Sequence, residues 1–226
     1  MKRAGPALFL PILLLSAVAW AQQLPATMTK MEVLLQSPDI PSTSYAAKSE
    51  VLYRAGDFYC RMEEQADPEH GIHGLMIIHE PDAWMVNLAT KTALHIVDPG
   101  PTRHCRMPIF ADRLRDMPAD QQKQIGDLEF GRELEFFTDR GATGRPGPVL
   151  QGKKTMIYEL QFGASRLALF THGDPPIPLA VVWRRDKTHE IFWYSGYGKV
   201  PFDASLFAKP SGITVTEAKP DSGAAK

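Results

Sequence analysis

The chain has 226 residues, a formal net charge of −1, 44% hydrophobic residues and two cysteines. That length suits one domain; the apolar fraction excludes an intrinsically disordered chain, and two cysteines are too few for a disulfide-scaffold miniprotein. The balanced charge lacks the basic surplus that phosphate binding needs, so no nucleic-acid partner is expected.

The first segment reads as a secretory leader. Met1-Lys2-Arg3 is a short basic start, Ala7 to Ala19 is almost wholly apolar, and Ala19-Trp20-Ala21 has the small-x-small form of a cleavage site. The run is too short for a bilayer span. The expected division is a signal peptide over 1–21, a single domain over 22–216 and a disordered tail over 217–226. Losing Lys2 and Arg3 moves the net charge from −1 to −3. The mature chain is expected to be soluble and exported without a transmembrane span, periplasmic in a Gram-negative bacterium and otherwise secreted. In an oxidising compartment the pair Cys60 and Cys105 is expected to form a disulfide.

Leu24 to Gln36 predicts a helix, with Pro25 in its first turn and Leu24, Met28, Met31 and Leu35 on a helical stripe. From Glu50 the period changes to two. Glu50–Arg54 is extended, Ala55-Gly56-Asp57 is a turn, and Phe58, Cys60 and Met62 share one face of the next strand. Three short strands follow over 75–79, 83–88 and 92–97. Asp98-Pro99-Gly100-Pro101 breaks the sheet, and Pro108 opens a short helix with Phe110, Leu114 and Met117 on one face. Alternation over 128–136 predicts a strand with Glu129, Glu133 and Glu135 solvated and Arg132 on the apolar side. Gly141–Pro148 reads as a loop. The clearest strand is Met156–Phe162, and three more follow over 166–171, 179–185 and 190–195. About nine strands and two helices make a mainly β (α+β) chain. Its large antiparallel sheet must curl, with sparse helical cover for its apolar face.

Few motifs carry chemistry. Gly147-Pro-Val-Leu-Gln-Gly152-Lys153 has the spacing of a phosphate loop, but Lys154 stands where a serine or threonine should hold magnesium. There is no Gly-x-Ser-x-Gly elbow, Ser-x-x-Lys pair or His-Glu-x-x-His helix, so no catalytic residue is assigned and no cofactor is expected. His70 and His73, beside Asp67 and Glu69, lack a third metal ligand; they support a metal-assisted hydrolase only as an alternative to a solvated loop.

Several short pieces share an order with a known group. They are Arg54-Ala-Gly-Asp57, Trp84-Met-Val-Asn87, the Thr90-Lys-Thr92 turn, Gly152-Lys153 with Tyr158, and above all Asp203-Ala-Ser-Leu206-Phe207-Ala-Lys-Pro210-Ser-Gly212. In these the chain resembles the LolA/LolB-like superfamily of periplasmic lipoprotein carriers and related exported domains. The resemblance implies an incomplete barrel of antiparallel strands with two or more helices covering its concave face. It implies a non-enzymatic binding protein whose apolar concavity takes a lipid or an acylated partner such as a lipoprotein. The candidate cavity lining is then Phe58, Met62, Trp84, Phe130, Phe136, Tyr158, Leu160 and Phe162. Arg54 and Arg132 are the candidate ligand cations. A regulatory or structural protein that grips another protein in the same half-barrel is the further alternative.

Overall fold

A computed structural model describes residues 24–98, 100, 104–115, 117–185 and 188–218. The expected leader lies outside the described residues, as does the tail beyond Ala218. Among the described residues twelve strands form one curled sheet that does not close. They are β1 (Thr27–Gln36), β2 (Ser49–Ala55), β3 (Tyr59–Glu64), β4 (Gly74–His79), β5 (Asp82–Asn87), β6 (Thr92–Val97), β7 (Arg145–Leu150), β8 (Lys153–Phe162), β9 (Ser165–His172), β10 (Ile177–Arg185), β11 (Thr188–Pro201) and β12 (Thr214–Glu217). Their spatial order is β12-β6-β5-β4-β3-β2-β1-β11-β10-β9-β8-β7. Two meanders are thus joined where β1 pairs with β11, and all neighbours are antiparallel except β12 on β6. Between the meanders runs an insert carrying three short helices, α1 (Ala111–Leu114), α2 (Ala119–Ile125) and α3 (Glu133–Asp139). The architecture is the incomplete barrel with helices against one face.

Local physics explains where the sequence reading departs from this. Residues 24–36 are not a helix but contain β1, hydrogen-bonded on both sides. Its inner face carries Met31 and Val33 in the main core, while Met28 joins a second core on the outer face. Burial of both faces blurs the period of two, and the scattered apolar positions then mimic a helical stripe. Residues 128–136 are not a strand: a turn leads into α3. Glu133, Phe136 and Phe137 are all buried, a spacing of three and four that only a helix puts on one side. Of the three glutamates expected to be solvated, Glu129 and Glu133 are buried. The proline-rich β7 takes the place of part of the expected loop; as the last strand it tolerates Pro146 and Pro148, which cannot donate to a ladder.

The main core fills the inner face. Phe110, Phe130, Phe136 and Phe137 from the insert pack on Val181, Trp183 and Phe192 of the sheet. On the outer face the segment after β11 covers β3 and β4, with Phe202 and Phe207 edge-on to Tyr59 at 5.0 and 5.3 Å. The same segment ends in β12, so the sheet's β6 edge is covered by the chain's own last strand.

Candidate functional site

The insert fills the inner face unevenly. Between β1–β5 and the stretch from Arg106 to Ala111 lies a cavity of about 920 Å³, within the range typical of small-molecule sites. Val33 and Leu35 of β1, Met62 of β3, Met76 of β4 and Met85 of β5 form the sheet wall. Met107, Ile109, Phe110 and Phe130 form the insert wall, and Phe192 of β11 adds to the lining. Charged groups sit on the lining as well: Asp39, Lys48, Glu50, Glu64, Arg106, Arg113 and Glu190. Several are tied to each other or to near neighbours. The Tyr45 hydroxyl donates to Glu64 at 2.6 Å, and Arg113 Nε pairs with Glu190 at 3.1 Å. Burial, reinforced by the Glu64 carboxylate, pushes the Tyr45 phenol up to about 12. Met85 is 50% exposed and faces its register partner Leu94, 39% exposed, so the sheet wall runs on into an open apolar strip.

Two devices hold the start of the insert against β2 and β3. Cys60 of β3 and Cys105 of the insert form a disulfide. In the chain-entropy account a loop of this length stabilises the fold by about 4 kcal/mol. Beside it Arg54, 5% exposed, donates from Nη1 to Glu129 Oε2 at 2.7 Å and to the Phe130 carbonyl at 3.2 Å. Its Nη2 reaches the Cys105 carbonyl at 3.3 Å, and its Nε the Gly56 carbonyl at 3.2 Å. Arg106 Nε adds a second cation to Glu129 at 3.0 Å. Burial alone would raise the Glu129 carboxyl, but Arg54 and Arg106 more than offset it and hold it below its ordinary value. Gly131 follows with φ +83°, and a Cβ there would meet Arg54 Cδ at 3.1 Å, so glycine is required for both conformation and room.

Glu133, 1% exposed, has a different solution. It accepts from the Tyr194 hydroxyl at 2.7 Å, the Gly131 amide at 2.8 Å and the Tyr197 hydroxyl at 3.3 Å. Burial raises its carboxyl above the usual range despite those donors, and burial likewise lifts both phenols. The cluster locks α3 to β11.

Of the residues singled out in the sequence, Met62 and Phe130 meet in the cavity. Phe136 packs in the main core, under Arg140 at 3.8 Å. Tyr158, Leu160 and Phe162 lie against that core from β8. Trp84 is on the outer face, stacked on His95 at 5.2 Å, and Phe58 is an exposed turn residue. Neither Arg54 nor Arg132 lines the cavity; Arg132 pairs with Asp57 at 3.1 Å and Glu135 at 2.8 Å. His70 and His73 turn to separate carboxylates, Asp67 and Glu63, each at 3.0 Å. Among the described residues no group of three or more His, Cys, Asp or Glu could hold a metal, and no helix is long and apolar enough to cross a membrane. Sequence reasoning favours the aromatics and misses Met76, Met85, Met107 and Phe110. Alternation does mark Met76 and Met85 as one face of their strands, but nothing local says that the insert leaves this face uncovered.

No family model and no curated protein matches the chain. Among solved structures it is similar to an uncharacterized conserved protein from Thermus thermophilus, at 11% identity and a TM-score of 0.49, covering 85% of this chain and 91% of that one. It is also similar to a LolA superfamily protein from Nitrosomonas europaea, at 10% identity and a TM-score of 0.36, covering 82% and 90%. A domain from Vibrio parahaemolyticus named for outer membrane lipoprotein sorting follows at 11% identity and a TM-score of 0.32, covering 80% and 88%.

Proposed function

We propose that the protein is an exported, non-enzymatic binding protein whose cavity takes the hydrocarbon chain of a lipid or acylated partner. The observation that carries this reading is the cavity itself, about 920 Å³ between an apolar sheet wall and an apolar insert wall. A flexible chain suits such a lining, because each methylene removed from water contributes about 0.8 kcal/mol without needing a fixed geometry. The thioethers of Met62, Met76 and Met85 adapt to variable chain shape. The exposed strip at Met85 and Leu94 gives the ligand an entrance. A disulfide between Cys60 and Cys105 suits an oxidising compartment outside the cytoplasm.

The test is titration of the purified chain with a fluorescent long-chain fatty acid, paired with native mass spectrometry of gently prepared protein. Saturable binding that unlabelled fatty acid displaces is expected. Met85→Glu, at a half-exposed position on the wall, should weaken it by about tenfold or more, since a carboxylate disfavours hydrocarbon at the entrance. Absence of saturable binding in the folded protein overturns the reading.

A further inference from the structure

We propose that the methionines of the same cavity form a soft-metal site that takes Cu(I). Met62, Met76 and Met85 are direct register partners across β3, β4 and β5. Register partners share a face, and strands about 4.8 Å apart leave the outer two within about 10 Å of each other, with Met76 between them. Each thioether rides on three rotatable bonds, so the three sulfurs can converge on one ion. Met107 lines the cavity from the opposite wall. The disulfide fixes that opposition, because Met62 lies two residues past Cys60 and Met107 two residues past Cys105. Four of the chain's nine methionines thus border one hollow.

Ligand chemistry selects the metal. Thioether sulfur is soft and uncharged, which suits Cu(I) and not magnesium, calcium or manganese. A harder ion finds no competing cage, since no suitable His, Cys, Asp and Glu cluster occurs among the described residues. The four carboxylates of the lining, Asp39, Glu50, Glu64 and Glu190, outnumber Lys48, Arg106 and Arg113, so the wall does not repel a monovalent cation. Half-exposed Met85 stands at the open side, where an ion enters.

Leucine keeps the volume and apolarity of methionine but offers no sulfur, and that difference supplies the test. The full chain is titrated anaerobically with Cu(I) against a chromophoric Cu(I) chelator, beside the Met62→Leu/Met76→Leu/Met85→Leu variant, which keeps volume and apolarity. The expected result is one Cu(I) per native chain and an affinity about 100-fold weaker in the variant. No uptake by the native chain, or equal affinity in both proteins, overturns the site. Should the triple variant not fold, Met85→Leu alone carries the comparison, with a loss of about tenfold expected and no change overturning the proposal. Copper-edge X-ray absorption should show a shell of sulfur; a shell of nitrogen and oxygen counts equally against it. Fatty-acid binding is titrated on the native chain without copper, so the hydrocarbon reading stands or falls on a separate measurement.

Discussion

Arg54 and Arg132 carry the same charge, and both are candidates in the sequence for meeting a ligand, yet their surroundings set different tasks. Arg54 is buried with Glu129 and three backbone carbonyls, whereas Arg132 is 31% exposed between Asp57 and Glu135. Removing one partner of a buried pair typically costs about 3–5 kcal/mol, and an exposed pair about 0–1 kcal/mol. Urea unfolding should therefore show Arg54→Leu losing several kcal/mol and Arg132→Leu less than about 1 kcal/mol. Similar losses in the two variants would contradict this account of how the insert is held. Glu133 yields a prediction with a pH sign. Its folded carboxyl is raised above the ordinary value by burial, so its contribution is fully present below the usual carboxylate range. It is lost as pH rises through the raised value. Thermal unfolding followed from acid to alkaline pH should show that loss in the native chain and a flatter profile in Glu133→Gln, which stays neutral throughout.

At the scale of elements, one side chain, His95, helps to fasten β12 to β6. His95 of β6 pairs through Nε2 with Asp82 at 2.9 Å and through Nδ1 with Glu217 of β12 at 2.7 Å, while its ring stacks on Trp84. Asp82 first, and Glu217 after it, raise the imidazole above its ordinary value against the opposing effect of burial. The contribution is therefore complete below the unfolded histidine value and falls away as pH climbs through the raised one. The protection of the Ala218 amide against hydrogen exchange, relative to an unstructured amide at the same pH, should fall over that window; this amide donates to the His95 carbonyl at 2.8 Å. His95→Gln should remove that pH dependence of the protection. β12 itself is not legible in the sequence, because Thr214–Glu217 is short, mostly exposed and defined only by its partner. The strands from Glu50 to Val97 are legible, since tight turns and clean alternation are local properties. Residues 24–36 and 128–136 mislead for opposite reasons. In the first, two buried faces erase a period of two; in the second, alternating glutamates and apolar residues imitate one. Met62 reaches the cavity from the face of β3 that alternation marks as apolar, whereas Phe130 reaches it from the turn before α3, where alternation predicts a strand that does not form. The role of Arg54 is beyond sequence reasoning, as its partners Glu129 and Phe130 lie 75 and 76 residues away along the chain.

At the scale of the whole molecule, the cavity exists because a separate wall is fastened to an open sheet. Cys60–Cys105 joins that wall to β3 near the middle of the first meander. Reduction should lower unfolding stability by about 4 kcal/mol in the chain-entropy account. It should also weaken fatty-acid binding more than that loss explains at temperatures where the chain stays folded, because the Arg106–Ala111 wall then loses its covalent tie to β3. Fluorescence titration of the oxidised chain and of Cys60→Ser/Cys105→Ser measures this directly; equal affinities would show that the wall keeps its place without the bond. The two ends of the sheet bear on what the molecule does in company. An open sheet is a template that a second molecule can lengthen, strand upon strand. Here one end is capped by the short β12, and the other is β7, where Pro146 and Pro148 interrupt the row of donors. Growth from one molecule into the next is discouraged at both margins, and a protein built on an open sheet can be crowded without recruiting its neighbours into a fibre.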